Sequence, residues 1–128
     1  MFIRFVISLL DTDSGRRQGL FQAADELRKS GELNAHEDRN LRAIFIWFNE
    51  NLEKPARLTI SSRPHAKEQA ISWFKSSAVK HIRKMREFQR VLESHGIVVE
   101  EIRTSRPGYI VYEDEFQVAA YPFKDTTT

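Results

Sequence analysis

Residues 2–10 alternate Ile3, Phe5, Ile7 and Leu9 against Phe2, Arg4, Val6, Ser8 and Leu10. Both sets are mostly apolar, the pattern of a central strand covered on both faces. Asp11 to Gly15 then read as a turn, with Asp13 or Ser14 placed to cap a helix. Leu20, Ala24 and Leu27, with Phe21 beside them, form a helical stripe that stops at Gly31. A second helix is announced by Asn34 and Glu37, a capping-box spacing with Asn in place of Ser or Thr. Its apolar face is Leu41, Ile44, Phe45, Phe48 and Leu52, and Pro55 ends it. Residues 57–61 alternate as a short strand would, and residues 62–64 read as loop.

The third helix has two possible starts. Wound at about 100° per residue, Ile71, Phe74, Ala78, Ile82, Met85, Phe88 and Leu92 fall on one side, but Trp73 falls near Lys80 and Lys84. A helix that took in Trp73 would turn a large aromatic away from the core. The simpler reading starts the helix with Ser76 as N-cap, leaves residues 70–74 extended, and stops at Gly96. Beyond it, residues 97–104, 109–112 and 116–121 are rich in Val, Ile, Tyr and Phe, as strands prefer. Arg106-Pro107-Gly108 supplies a strong turn, since Pro presets φ and Gly permits positive φ. These three strands predict a C-terminal β-meander. The expected class is therefore α+β, with three helices packed on one face of a mostly antiparallel sheet of four to five strands. A single domain over residues 1–123 and a frayed tail at 124–128 complete it.

Composition narrows the chemistry. The chain has 128 residues, enough for one domain with a real core, and no cysteine. A disulfide framework, a thiolate zinc site and a cysteine nucleophile are thereby excluded, and a reducing, cytoplasmic setting is expected. The apolar start is short, contains Arg4 and lacks a small-residue cleavage site, so it reads as a strand and not as a targeting segment. Nothing approaches the roughly 20 apolar residues of a membrane span, so no membrane partner is expected. No repeat or cofactor-binding motif is evident: Gly15 and Gly19 lack the Lys-Ser/Thr of a phosphate loop, and nothing implies a cofactor or a bound metal.

Charge changes the picture more. The formal net charge is +2, but residues 1–53 carry −2, residues 54–90 carry +8 and residues 91–128 carry −4. Within the basic middle, Lys80, Arg83, Lys84, Arg86 and Arg90 occupy the helix face opposite the apolar stripe, with Arg63 and Lys67 preceding it. Such a face suits a phosphate backbone, with Trp73 available to stack on a base. The same face also suits an acidic protein, or simply solvates an amphipathic helix.

Two further features bear on catalysis. His81 projects into the apolar face among Phe74, Ala78, Met85 and Phe88, where an imidazole must find a hydrogen-bond partner. It reads either as a general base or as a core histidine tied to a backbone carbonyl or a meander carboxylate. Glu113-Asp114-Glu115 is the densest acidic cluster, and on a strand Glu113 and Glu115 share a face. Paired carboxylates can do acid–base work, although acidic residues are common in surface turns. Glu113-x-Glu115 resembles the paired glutamates of ADP-ribosyltransferases over three residues, without that family's nicotinamide-binding arginine or Ser-Thr-Ser element. More broadly, Ala70-Ile71-Ser72-Trp73-Phe74-Lys75 together with residues 107–118 resembles a group of small bacterial hypothetical proteins. That likeness implies a bacterial, cytoplasmic origin and no particular activity.

Three functional expectations follow. The first is a binding or regulatory module that engages nucleic acid or an acidic protein surface through the basic helix face. The second is a small hydrolase or transferase pairing His81 with Glu113 or Glu115. The third is an interaction subunit, a homodimer formed through an edge strand of the meander.

Overall fold

The computed structural model describes residues 1–12, 15–54 and 70–128. The possible strand at 57–61, the loop at 62–64, Pro55, Asp13, Ser14, Arg63 and Lys67 lie outside the described residues. Among those described, the elements in order are β1 (Phe2–Leu10), β2 (Arg17–Gly19), α1 (Leu20–Lys29), α2 (Ala35–Asn51), β3 (Ile71–Lys75), α3 (Val79–Ser94), β4 (Val99–Thr104), β5 (Tyr109–Glu113) and β6 (Gln117–Tyr121). The class is α+β: three helices and a six-stranded sheet in which every described pairing is antiparallel.

The central-strand reading of residues 2–10 has a concrete basis. One edge of β1 pairs with β4 from Phe2 to Ile7, and its other edge is shared, β3 taking Phe2 and Ile3 and β2 taking Val6 and Leu10. Ile3, Phe5 and Ile7 face a core with Leu20, Ala24, Leu27, Leu41, Phe48, Met85 and Phe88 from the three helices. Val6 turns the other way, into a second cluster with Ile71, Trp73, Ile102 and Val118, against which Phe2 packs. Two buried faces account for the doubly apolar alternation of β1.

The helices begin and end for local reasons. The Asn34 side chain accepts from the Glu37 N–H, and the Glu37 carboxylate accepts from the Asn34 N–H, a complete capping box for α2. α1 closes at Ser30 and Gly31, the latter at φ 78°. Its beginning differs from the turn-plus-cap expectation. Asp11 and Arg16 close a β-turn region that returns the chain as β2, and the helix starts only at Leu20. Residues 71–75 are extended, as Trp73 required, but α3 starts after Ala78 and not at Ser76: a turn intervenes, in which the Ala78 N–H bonds to the Lys75 carbonyl.

The C-terminal strands are where expectation and structure part. β5 and β6 form a hairpin, but β4 pairs with β1 and not with β5, so the three do not make a meander. The sheet runs β4-β1-β3-β6-β5, which puts β4 and β5 at opposite edges. Residues 105–108 link them, and such a link spans at most about 18 Å. Crossing a flat sheet of this order would take about 19 Å sideways alone. The sheet must therefore curl for so short a link to join its two edges. The Thr128 main-chain oxygen accepts from Arg4 at 3.0 Å, Phe123 and Thr126 hydrogen-bond to each other, and the Phe123 ring meets Tyr109 and Arg106.

Candidate functional site

His81 sits in the first turn of α3, 4% exposed. Its Nε2 lies 2.8 Å from the Asn51 carbonyl oxygen. A carbonyl only accepts, so Nε2 carries the proton. The ring is enclosed by Phe116 at 4.3 Å, Trp47 at 4.8 Å, Phe48 and Phe74. Two residues further on, just past α2, the Glu53 carbonyl accepts from the buried Gln117 amide at 2.6 Å. Both side chains thus supply donors to carbonyls at the C-terminal end of α2, groups that a helix leaves unsatisfied. His81 is a core histidine tied to a backbone carbonyl, its ring enclosed by aromatic side chains among the described residues.

The carboxylates of the acidic triplet have other surroundings. Glu113 is ion-paired with Lys75 at 2.6 Å, and Glu115 is exposed in the β5–β6 turn. Between them Asp114 organises that turn. Its Oδ1 accepts from the Phe116 and Gln117 N–H groups, and its Oδ2 accepts from the Tyr112 hydroxyl and the Gln117 amide. Partial burial works against the Asp114 charge, but these donors outweigh it and hold the carboxyl below its ordinary range. The triplet is a turn with a built-in acceptor, and among the described residues no hydrogen bond or ion pair joins Glu113 or Glu115 to His81.

Around the basic residues of α3 the structure makes one subtraction and one addition, a loss and a gain. Lys80, Arg83, Arg86 and Arg90 are exposed on α3, and Lys84 is half-buried, its ammonium 5.8 Å from the Trp47 ring centroid and paired with Glu87 at 3.2 Å. Lys80, Arg83 and Arg90 have no ion pair among the described residues. The loss is Trp73: at 1% exposure, inside the curl of the sheet, it presents no ring to a base. Its place off the helical stripe marked a strand residue on the other face of the sheet, not a surface aromatic. The gain is Arg103, exposed on β4, where Glu101 bridges it at 3.0 Å and Arg86 at 3.5 Å. Nothing in the linear sequence sets Arg103 beside α3; the β1–β4 register does.

A second concentration of charge lies at the opposite side of β1. Arg4, Arg16 and Arg17 line a cavity of about 620 Å³ that reaches inward to Phe5, Phe21, Phe45, Phe48 and Trp73. Comparison with protein-family models, with curated proteins and with solved structures finds no match to this chain. Among the described residues, no helix is long and apolar enough to cross a membrane.

Proposed function

We propose that this protein is a binding module that holds the phosphate backbone of a nucleic acid against the exposed face of α3. The observation that carries this reading is the row Lys80, Arg83 and Arg90, exposed on one rigid helix and without ion pairs among the described residues. Ten residues of helix extend the row over about 15 Å. Arg86 and Arg103 continue it sideways onto β4. With Trp73 buried, base stacking drops out, and what remains is a sequence-independent electrostatic contact. Fluorescence anisotropy with a labelled duplex tests it. If about three phosphates are neutralised, affinity falls about 40-fold between about 50 and 200 mM salt. The double variant Arg83→Glu/Arg90→Glu should abolish binding while leaving the fold intact. A flat salt response, or unchanged binding by that variant, sinks the proposal. Polyglutamate binding as tightly as the duplex would transfer the face to an acidic protein partner.

A second reading, self-association through the β5 edge, is favoured by Tyr109 and Ile110, exposed on a strand that pairs on one side only among the described residues. Sedimentation showing a monomer at every concentration would remove it.

A further inference from the structure

β1 outruns its neighbour β4. The two pair only from Phe2 to Ile7, where Val99, the first residue of β4, stands opposite Ile7. Ser8, Leu9 and Leu10 continue the strand beyond that point. β2 holds Leu10 from one side. On the side of β4, no main-chain hydrogen bond joins residues 97 and 98 to them among the described residues. The Ile97 N–H returns instead to the Leu92 carbonyl at 3.0 Å, which ties the chain back to α3. Among the described residues, the end of β1 is therefore an open sheet edge, with backbone donors and acceptors at the spacing of a strand.

The same place is apolar. Leu9 is 57% exposed and Val98 78% exposed. Both border a groove of about 470 Å³ between the end of β1, α1 and the loop before β4. Ile7, Ala23, Leu27 and Ile97 line it as well, and they belong to the core under the helices or pack against it. The groove is thus a point where the core reaches the surface. Single exposed apolar residues carry no message, but a contiguous group around a groove marks an interaction site.

The rim fixes the sign of what fits. Glu26 and Glu32 line the groove with Ser8 and Ser30, and among the described residues no cationic side chain does. Neither glutamate has an ion pair among the described residues. Glu26 receives one long hydrogen bond, from the Gln18 amide at 3.5 Å. The basic residues of α1 are committed elsewhere, Arg28 to Asp38 at 3.1 Å and Lys29 to Asp25 at 2.8 Å. In a chain of positive formal net charge, this groove is acidic.

We propose that the groove beside the end of β1 docks an extended segment of a partner protein, an aliphatic side chain with Lys or Arg two residues to either side. The open edge selects an extended backbone, the groove an aliphatic side chain, and Glu26 and Glu32 the cations. A spacing of two puts all three side chains on one face of a strand, the face that meets the groove. The basic row of α3 repels such a segment, so this assignment and the phosphate track can fail independently.

Fluorescence anisotropy of the full chain with the labelled peptide Thr-Lys-Thr-Leu-Thr-Lys-Thr tests it. The peptide should bind at least about 10-fold more tightly than its Glu-for-Lys counterpart, in which charge-assisted contacts become repulsions. It should also bind at least about 3-fold more tightly than Thr-Thr-Lys-Leu-Lys-Thr-Thr, which turns the same lysines to the other face of the strand. Glu26→Lys/Glu32→Lys should reverse the order of the basic and acidic peptides, and Leu9→Asn/Val98→Asn should weaken the basic one. All four positions are exposed, and Glu32→Lys alone, which spares the Gln18 contact, should narrow the preference should the double variant not fold. No binding up to about 1 mM, equal binding of any two of the peptides, or an unchanged order in the folded charge-reversal variant would overturn the assignment. So would self-association of the free chain that Leu9→Asn/Val98→Asn removes, since the groove would then belong to a second copy.

Discussion

At the scale of single residues, the polar groups that looked like chemistry turn out to close the ends of elements. Asp114 is the clearest case, four donors converging on one carboxylate in a turn of three residues between β5 and β6. Asp114→Ala removes the acceptor for two backbone N–H groups and two side chains, and should cost about 1–2 kcal/mol in urea unfolding. The pH dependence has a definite sign. A carboxyl whose pKa is lower in the folded state stabilises the fold above its ordinary pKa, and this contribution is lost as pH falls through the lowered one. Glu37 shares this behaviour, held down by its hydrogen bonds with His95 and the Asn34 N–H, as does Asp38 beside Arg28. Stability should therefore decline as pH drops below about 4, and Asp114→Ala should show a shallower decline than the natural chain. An equal slope in both proteins would remove Asp114 from that account. His81 taught the same lesson differently. Its position in the apolar stripe was legible, and so were its two roles, but the carbonyl it bonds belongs to a residue 30 positions away.

At the scale of elements, the one glycine whose lack of a side chain is essential is Gly108. It has φ 133°, and a Cβ there would lie 1.7 Å from the Tyr121 carbonyl oxygen, against backbone that cannot step aside. Gly108→Ala should destabilise by about 3 kcal/mol or more, through both φ strain and collision. Thermal unfolding decides it: a loss of under about 1 kcal/mol would show that the turn can reopen. The turn at Arg106-Pro107-Gly108 was readable from its dipeptide alone, and so were the capping box of α2 and the apolar faces of all three helices. Those signals are local. What the turn connects was not readable, because a Pro-Gly turn is equally at home in a hairpin and in a crossing between sheet edges. Pairing of β4 with β1 rests on the match of Ile102 and Val99 to the two faces of β1, a relation between residues about 95 positions apart in the chain. The brief β2 strand was hidden for a related reason: three residues carry no period.

At the scale of the whole molecule, the block charges of the linear sequence do not survive folding as a dipole. Three carboxylates of the acidic C-terminal third are spent on basic partners: Glu100 on Arg17, Glu113 on Lys75, and Glu101 on both Arg86 and Arg103. Lys80, Arg83 and Arg90 are what remain uncompensated on α3 among the described residues. Folding thereby divides the arginines into a surface row on α3 and an inward group around Arg4, a division that charge arithmetic along the chain conceals. Glu101 is then a brake on the surface row, a carboxylate that occupies two guanidiniums beside the proposed phosphate track. Glu101→Gln keeps the shape and frees Arg86 and Arg103. If α3 holds a nucleic acid backbone, the variant should bind more tightly, and its log affinity against log salt should steepen by about one unit, as one further phosphate contact requires. The ion pairs it removes are exposed ones worth at most about 1 kcal/mol each, so the fold should be unaffected. Anisotropy titrations at several salt concentrations separate the cases. A tighter complex with an unchanged slope would place Arg86 and Arg103 outside the track, and weaker binding would mean that Glu101 positions them for it.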